Sequence, residues 1–477
     1  MSWTELLPAA PEITLLCLIC VVLIADLFVS NEKRVITFWL SIVALIVTGW
    51  SLMATAPDAR TLMFDGSYVS DAFSQVLKLA AVGFVAIGFL YARDYLKQNE
   101  LHKGEYYLLG LFGLLGMMVM ISANSLLTMY LGLETLSLSL YALVAFDRNS
   151  AKSAEAAMKY FVLGAIASGA LLYGISWVYG ITGSLQFDGI AHALVANPEL
   201  NSMPLWFGLA FMVVGIAFKF GAVPFHMWLP DVYEGARTPV TLYIASAPKL
   251  AALALIMRIL VDGFGDLHDA WQGMVMVVAV LSLVIGNVVA IAQTNIKRML
   301  GYSAIAHVGF ILLAIFTGSE QGYAAALYYT LTYVVMAAAA FGMIILLSRT
   351  GFEAEDLADF KGLNARSPWF ALMMLFVMFG MAGVPPWVGF FAKLSVINAV
   401  LIAGFPGLAI LMVLASVVGA YYYLRVIWYM YFDAAEDKSV FQAGLDTRLV
   451  LSLNGIAILA LGIAPGWLMT LCIQVLQ

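Results

Sequence analysis

Seven ionisable side chains stand inside otherwise apolar sequence: Lys78, Glu134, Lys159, Lys219, Lys249, His307 and Lys393. An eighth, His226, shares with Lys219 the stretch FKFGAVPFHMWLP, residues 218–230, in which a proline interrupts the run. These residue types suit proton transfer. Burial disfavours the charged form of an amine and a nearby carboxylate restores it, so a lysine facing a glutamate can be tipped between holding and releasing a proton. At about 10 Å and an effective dielectric near 20 the carboxylate contributes about 1.7 kcal/mol, roughly 1.2 pKa units. Imidazole titrates near neutrality and bridges gaps. The proline beside Lys219 breaks the helical ladder, which frees carbonyls and makes room for water. Lys219 is therefore the expected titrating site, with Glu134 as its modulator.

The elements that must hold these groups are membrane helices. Of 477 residues, 63% are hydrophobic and only 11% charged, with a mean hydropathy of +0.95. A soluble domain has about 45–50% apolar and about 25% charged residues. Apolar runs of about 20 residues, the length that crosses a hydrocarbon core, recur from end to end. The alternating strands of a barrel are not seen. The expected fold is an all-α polytopic membrane protein with fourteen transmembrane helices, over 9–29, 36–55, 72–94, 105–121, 122–146, 156–181, 203–223, 239–262, 271–293, 299–317, 320–348, 367–404, 406–432 and 448–474. The fourth and fifth are divided near Ser122–Ser125, the seventh breaks at Pro224, and the long twelfth contains Pro385–Pro386.

Loops after odd-numbered spans hold Lys33, Arg34, Lys97, Lys103, Arg148, Lys152, Arg237, Lys297, Arg298, Arg349, Lys361, Arg366 and Lys438, whereas loops after even-numbered spans hold Arg60 and little else. Lysine and arginine mark the cytoplasmic side, so the odd loops are expected in the cytoplasm and both termini outside. The N-terminus lacks the basic start of a cleavable signal, and Glu5 and Glu12 precede the first apolar run.

Gly221–Pro224 resembles Ala382–Pro385, and both lie in broken spans. The expected organisation is three N-terminal spans (1–100), one repeat of spans four to eight (101–265), a second of spans nine to thirteen (266–433) and a C-terminal span (434–477). Five is odd, so the second copy starts from the opposite side, as in transporters whose paired discontinuous helices bind ions.

A charge in mid-bilayer costs about 2.5–3.5 kcal/mol on insertion scales and persists where it faces protein or water. At 1.5 Å per helical residue, Glu134 and Lys249 fall about 18 and about 15 Å into their spans, near mid-depth. His307 is similarly placed, Lys219 is nearer the cytoplasm, and Lys393 lies in the outer half. Plainer roles compete. Lys219 and Glu134 could lock two helices, Lys78, Lys159 and Lys393 could snorkel to an interface, and the charged segment Asp231–Arg237 reads as a solvated turn. Cys17, Cys20 and Cys472 read as helix-packing thiols. No iron–sulfur spacing, phosphate-binding loop or dinucleotide fingerprint appears, so neither a metal nor a redox cofactor is expected in this chain.

Five stretches carry a family resemblance: YLGLETLSLSLYAL (130–143), FKFGAVPFHMWLPDVYEGA (218–236), SAPKLAA (246–252), NIKRMLGYSAIAHVGF (295–310) and GVPPWVGFFAK (383–393). The chain resembles, over essentially its whole length, the antiporter-like membrane subunits of bacterial respiratory complex I, the proton-pumping NADH:quinone oxidoreductase, which are shared with multisubunit Na⁺/H⁺ antiporters. The resemblance implies inverted five-helix repeats with discontinuous helices 7 and 12. It implies that Glu134 pairs with and tunes Lys219, and that Lys249 is the central relay and Lys393 the outer one. Lys159 matches a sixth-span lysine of such subunits. Lysine at 393 and the lack of a long lateral helix after the last span fit one branch of the family better than its siblings. Implied partners are an antiporter-like M-type subunit, small membrane subunits and lipid, with no nucleic acid. NADH, FMN, iron–sulfur clusters and quinone would belong to partner subunits. The rival readings are a Na⁺/H⁺ antiporter subunit and a structural scaffold.

Overall fold

The computed structural model describes residues 6–435 and 443–476; Glu5 and Lys438, weighed above, lie outside them. Among the described residues thirteen helical segments are long and apolar enough to cross a bilayer, and a broken pair supplies a fourteenth crossing. In chain order the helices of the crossings and breaks are α1 (Ala10–Leu27), α2 (Val35–Ala54), α3 (Ala72–Gln98), α4 (Gly104–Ile121), α5 (Leu126–Val144), α6 (Ala151–Thr182), α7 (Met203–Phe220) and the short α8 (Trp228–Gly235), with a further short helix over Phe187–Ala196 in the loop before α7. The eighth crossing is split into α9 (Thr238–Ala245) and α10 (Ala247–Ile256), continued by a π-helical turn. Then come α11 (His268–Ile291), α12 (Ile296–Phe316), α13 (Glu320–Leu347), the broken pair α14 (Pro368–Ala382) and α15 (Val388–Ile402), α16 (Pro406–Tyr431), α17 (Leu445–Ile463) and α18 (Pro465–Gln474).

The eighth and last spans were each expected unbroken and are not. Proline lacks the amide that the ladder needs, and Pro248 and Pro465 each stand in the first turn of a new helix. The two main breaks end alike. Gly221 (φ 75°) and Gly383 (φ 85°) take the left-handed conformation, which costs other residues roughly 1–2 kcal/mol. The next amide then closes five residues back, Ala222 to Ala217 O at 2.8 Å and Val384 to Phe379 O at 3.0 Å.

The duplication shows in contacts that recur 170 residues on. A β-carbon on Gly116 would press on the Leu136 amide and the Gly132 carbonyl, and one on Gly286 on the Ala306 amide and the Tyr302 carbonyl. An isolated bridge joins Ser125 to Gln186, and its counterpart joins Asn295 to Asp356. The two bridges lie on opposite faces of the molecule. Around the first, Asn124 bonds Asp188 at 2.8 Å and Asp188 meets Arg60 at 3.1 Å. Around the second, Lys297 meets Glu355 at 3.0 Å and Arg298 meets Asp231 at 2.7 Å. Equivalent elements on opposite faces are what an inverted repeat requires.

Loop contacts sort into the same two faces. Odd loops and the helix ends beside them touch one another: Lys152 and Glu355 (2.7 Å), Arg237 and Asp147 (2.7 Å), Arg93 and Asp446 (2.9 Å). Even loops do likewise, through Arg60 and Asp188, and Tyr68 Oη lies 3.1 Å from Pro8 O. Pro8 near one terminus and Leu476 near the other, the latter lining a pocket with Arg60 and Asp71, share this second face.

Close glycine packing sets the α4–α5 hairpin. In Gly116→Ala the new methyl lies 2.5 Å from the Leu136 amide, which forces the helices apart; overpacking of this kind costs about 1–3 kcal/mol. The expected result is less assembled protein in membranes, measured by immunoblot against the parent.

Candidate functional site

Lys219, Lys249, His307 and Lys393 are all buried. Lys219 ends α7, one residue before the carbonyl of Phe220 and two before left-handed Gly221. Its ammonium donates to Ser137 Oγ on α5 at 3.1 Å. A cavity of about 20 Å³ lies there, lined by Ser137, Tyr141, Ser168, Lys219 and Trp228 among others, room for a single water. Glu134, half-buried one turn from Ser137, accepts from Ser168 Oγ, which also lies 3.0 Å from Tyr130 Oη. Among the described residues no direct ion pair joins Glu134 and Lys219, which the resemblance implies to be paired. Lys219 lines the cavity, whereas Glu134 reaches its edge only through Ser168, the α6 hydroxyl that takes the carboxylate.

Lys249, for which the sequence offers no carboxylate, donates from α10 to Phe220 O at 2.7 Å. That carbonyl is among those the α7 break leaves without an intrahelical donor. Lys393 does the same in the second repeat, donating to Ala382 O at 2.8 Å, the residue before Gly383. Helical side chains lean toward the N-terminus, so Lys393 on α15 points back to the break and does not snorkel outward. Each repeat therefore seats one buried ammonium on the carbonyl of its broken helix.

His307 stands 170 residues after Ser137, at the corresponding place in the second repeat. Its Nδ1 lies 2.7 Å from Tyr329 Oη and its Nε2 3.1 Å from Tyr423 Oη, which meets Ser303 Oγ at 2.5 Å. The Phe310 ring stacks on Tyr329 and carries the Lys393 ammonium 5.5 Å from its centroid. Lys393 and His307 thus share one aromatic wall. Among the described residues no side-chain hydrogen bond spans from Lys249 to His307.

The other candidates fall elsewhere. Lys159 is half-exposed on the basic face, 2.9 Å from Asp231 and 2.8 Å from Glu155. Asp231 and Glu234 are on α8, held by Arg298 at 2.7 and 3.0 Å, so the expected solvated turn is a clamped helix. Beside it Glu355 takes Lys297 and Lys152; burial alone would raise its carboxyl, and these two ammoniums outweigh it and hold it below the usual range. His226, half-buried in the break, sets its ring edge-on to Tyr302 at 6.4 Å. Lys78 is buried and does not reach an interface: it meets Glu12 at 2.5 Å and Tyr68 Oη at 3.0 Å. Glu12, read as preceding the first apolar run, is itself inside α1. Of the thiols expected to pack between helices, Cys17 and Cys20 face outward and only Cys472 is buried. Among the described residues no three His, Cys, Asp or Glu side chains gather as a metal site.

Sequence reasoning missed Ser137, Ser168, Tyr329 and Tyr423, because hydroxyls in apolar helices carry no signal until their neighbours are known. It also missed Arg258, buried and bound by both oxygens of Asp71 at 2.8 and 2.7 Å. An arginine among apolar residues at the end of the eighth span was visible in principle.

Comparison with known proteins gives concordant results. Residues 123–419 match the family model described as NADH:quinone oxidoreductase/Mrp antiporter, transmembrane. A protein of Thioalkalivibrio sulfidiphilus named NADH-quinone oxidoreductase subunit N is 58% identical over 98% of this chain and 97% of its own length. The protein of that name from Thiobacillus denitrificans is 52% identical over 99% and 98%. Among solved structures, a chain of respiratory complex I from Thermus thermophilus with bound aureothin is 32% identical, with a TM-score of 0.83, over 96% of this chain and 98% of that one. A chain of the Mrp complex from Dietzia shares the fold, with a TM-score of 0.84 at 21% identity over 100% and 97%.

Proposed function

The chain belongs to the family of transmembrane subunits of NADH:quinone oxidoreductase and Mrp antiporters, in its subunit N branch, and from that membership we propose that it moves protons outward through Glu134, Lys219, Lys249, His307 and Lys393. Electron transfer from NADH to quinone in other subunits drives the transfer, and NADH, FMN, iron–sulfur clusters and quinone are bound there. This chain contributes no redox group. It sits in the bacterial cytoplasmic membrane with its basic face inward and both termini outside, beside an antiporter-like M-type subunit and small membrane subunits. Lys159 and His226 stand on the inward side of the path.

One observation supports this most: both repeats place a buried ammonium on the carbonyl exposed by a broken helix. An amine there can give up its proton without stranding an ion pair, because its partner is a neutral dipole. Driving a proton outward against 100 mV costs about 2.3 kcal/mol, the order of a single change in a lysine's surroundings.

The test is Glu134→Gln with Lys219→Met in the assembled complex. NADH-driven proton uptake by inside-out vesicles is expected to fall about a hundredfold, the weight of a general acid–base group. A scaffold would keep pumping, so an unchanged rate in a fully assembled double variant sinks the proposal. Identity of 58% to a protein named for the quinone oxidoreductase, against 21% to the Mrp chain, favours this reading over a Na⁺/H⁺ antiporter.

A further inference from the structure

Two openings lie on one seam between α6 and α8. On the basic face a cleft of about 200 Å³ is lined by Ala156 and Lys159 of α6, Asp231 and Gly235 of α8, and Arg298. Deeper in is the cavity of Lys219, lined by Tyr160 and Gly164 of α6 and Trp228 of α8. On α6, Ala156, Tyr160 and Gly164 follow at four-residue spacing and share a face; on α8, Trp228, Asp231 and Gly235 follow at spacings of three and four and share one too. The seam therefore runs from cleft to cavity, and at its middle the rings of Tyr160 and Trp228 stack 4.5 Å apart and 10° from parallel. Trp228 Nε1 donates to Phe218 O at 3.0 Å, so the ring is tethered to the residue before Lys219.

Charges crowd the outer end. Asp231 is faced by Lys159 from α6 at 2.9 Å and by Arg298 from α12 at 2.7 Å, with Glu155 on α6 and Glu234 on its own helix bonded to the same two cations. It is the cleft carboxylate lying on the same helix face as Trp228, one turn away.

We infer that this seam is the entrance through which protons reach Lys219, with Asp231 as the group that hands them inward and the Tyr160–Trp228 stack as the stop between cleft and cavity. A hydronium in the cleft protonates the Asp231 carboxylate and leaves as water. The acid passes that proton to a water admitted past the stack, and the water delivers it to the neutral Lys219 amine, giving the ammonium and restoring the carboxylate. The inference rests on the proton-moving reading of Lys219.

The experiment measures NADH-driven quinone turnover of the assembled complex in uncoupled membranes at mildly alkaline pH, where protons are scarce. Asp231→Asn is expected to lower turnover about tenfold, the low end of a positioned proton donor's contribution. Asp231→Glu should restore it, and so should added formate, a weak acid small enough to enter the cleft. Lys219→Met should be slow and unresponsive to formate. An Asp231→Asn complex at the parent rate, or one whose lost rate neither glutamate nor formate returns, overturns the entrance and makes Asp231 a brace for α8. A Lys219→Met complex at the parent rate would fail the broader reading instead. Should Asp231→Asn not assemble, Glu155→Cys is labelled after assembly with a bulky thiol reagent, with the treated parent as control for exposed Cys17 and Cys20. Turnover should drop several-fold on labelling, and a labelled complex at its unlabelled rate overturns the proposal.

Discussion

Lys249→Met is expected to stop proton pumping in a complex that still assembles. Lys249 donates to Phe220 O at 2.7 Å from a fully enclosed site. Methionine fills the same volume and adds no charge, so the structural loss is one hydrogen bond, about 1–3 kcal/mol with its carbonyl left unsatisfied. The functional loss is larger, because the buried amine seated on the break carbonyl of α7 is gone, and about a hundredfold or more is the scale of such groups. Lys249→Arg separates the two. A guanidinium keeps the charge and the donor but does not release its proton, so this variant should assemble well and pump no better than methionine. Proton uptake by inside-out vesicles, normalised to the amount of complex, is the measurement. An arginine variant at the parent rate would mean that position 249 needs only a fixed cation and would sink the relay.

The second large effect is on stability. Lys78→Met leaves the buried Glu12 carboxylate with Tyr68 as its remaining donor, where Lys78 had stood 2.5 Å away. Breaking a buried pair from one side costs about 3–5 kcal/mol, whereas replacing both partners by apolar residues is often neutral. Lys78→Met should therefore lower the melting temperature of the solubilised complex by several degrees and reduce its yield, and adding Glu12→Leu should return most of the loss. Pumping per assembled complex should stay at the parent level in both. A melting temperature unmoved in the single variant contradicts the buried pair.

Much of this arrangement was legible in the residues. Apolar run length gave the crossings, and the loop lysines and arginines gave two faces that the ion pairs across loops reproduce. Pro224 and Pro385–Pro386 marked the breaks because a proline in an apolar run interrupts the helical ladder. What stayed hidden is what depends on side-chain reach. Glu134 and Lys219 looked like a pair because both stand in apolar spans, are of opposite charge, and are paired by the family resemblance, yet Ser168 and Ser137 are their hydrogen-bond partners. Lys249 looked partnerless because a main-chain carbonyl is invisible in a list of side chains. Lys78 and Glu12 looked unrelated because 66 positions of chain separate them and only the packing of α1 and α3 on the shared helices α2 and α4 brings them together.

The two break carbonyls are held differently, and this sets where the protein can bend. In the second repeat the lysine and its carbonyl belong to the same discontinuous span, eleven residues apart, so they travel together whatever that span does. In the first repeat the lysine comes from α10 and the carbonyl from α7, so any sliding between those helices loosens or tightens the grip. On the proposed path, the contact at Phe220 is therefore the one that sliding of α10 against α7 would change, and the contact at Ala382 lies within a single span.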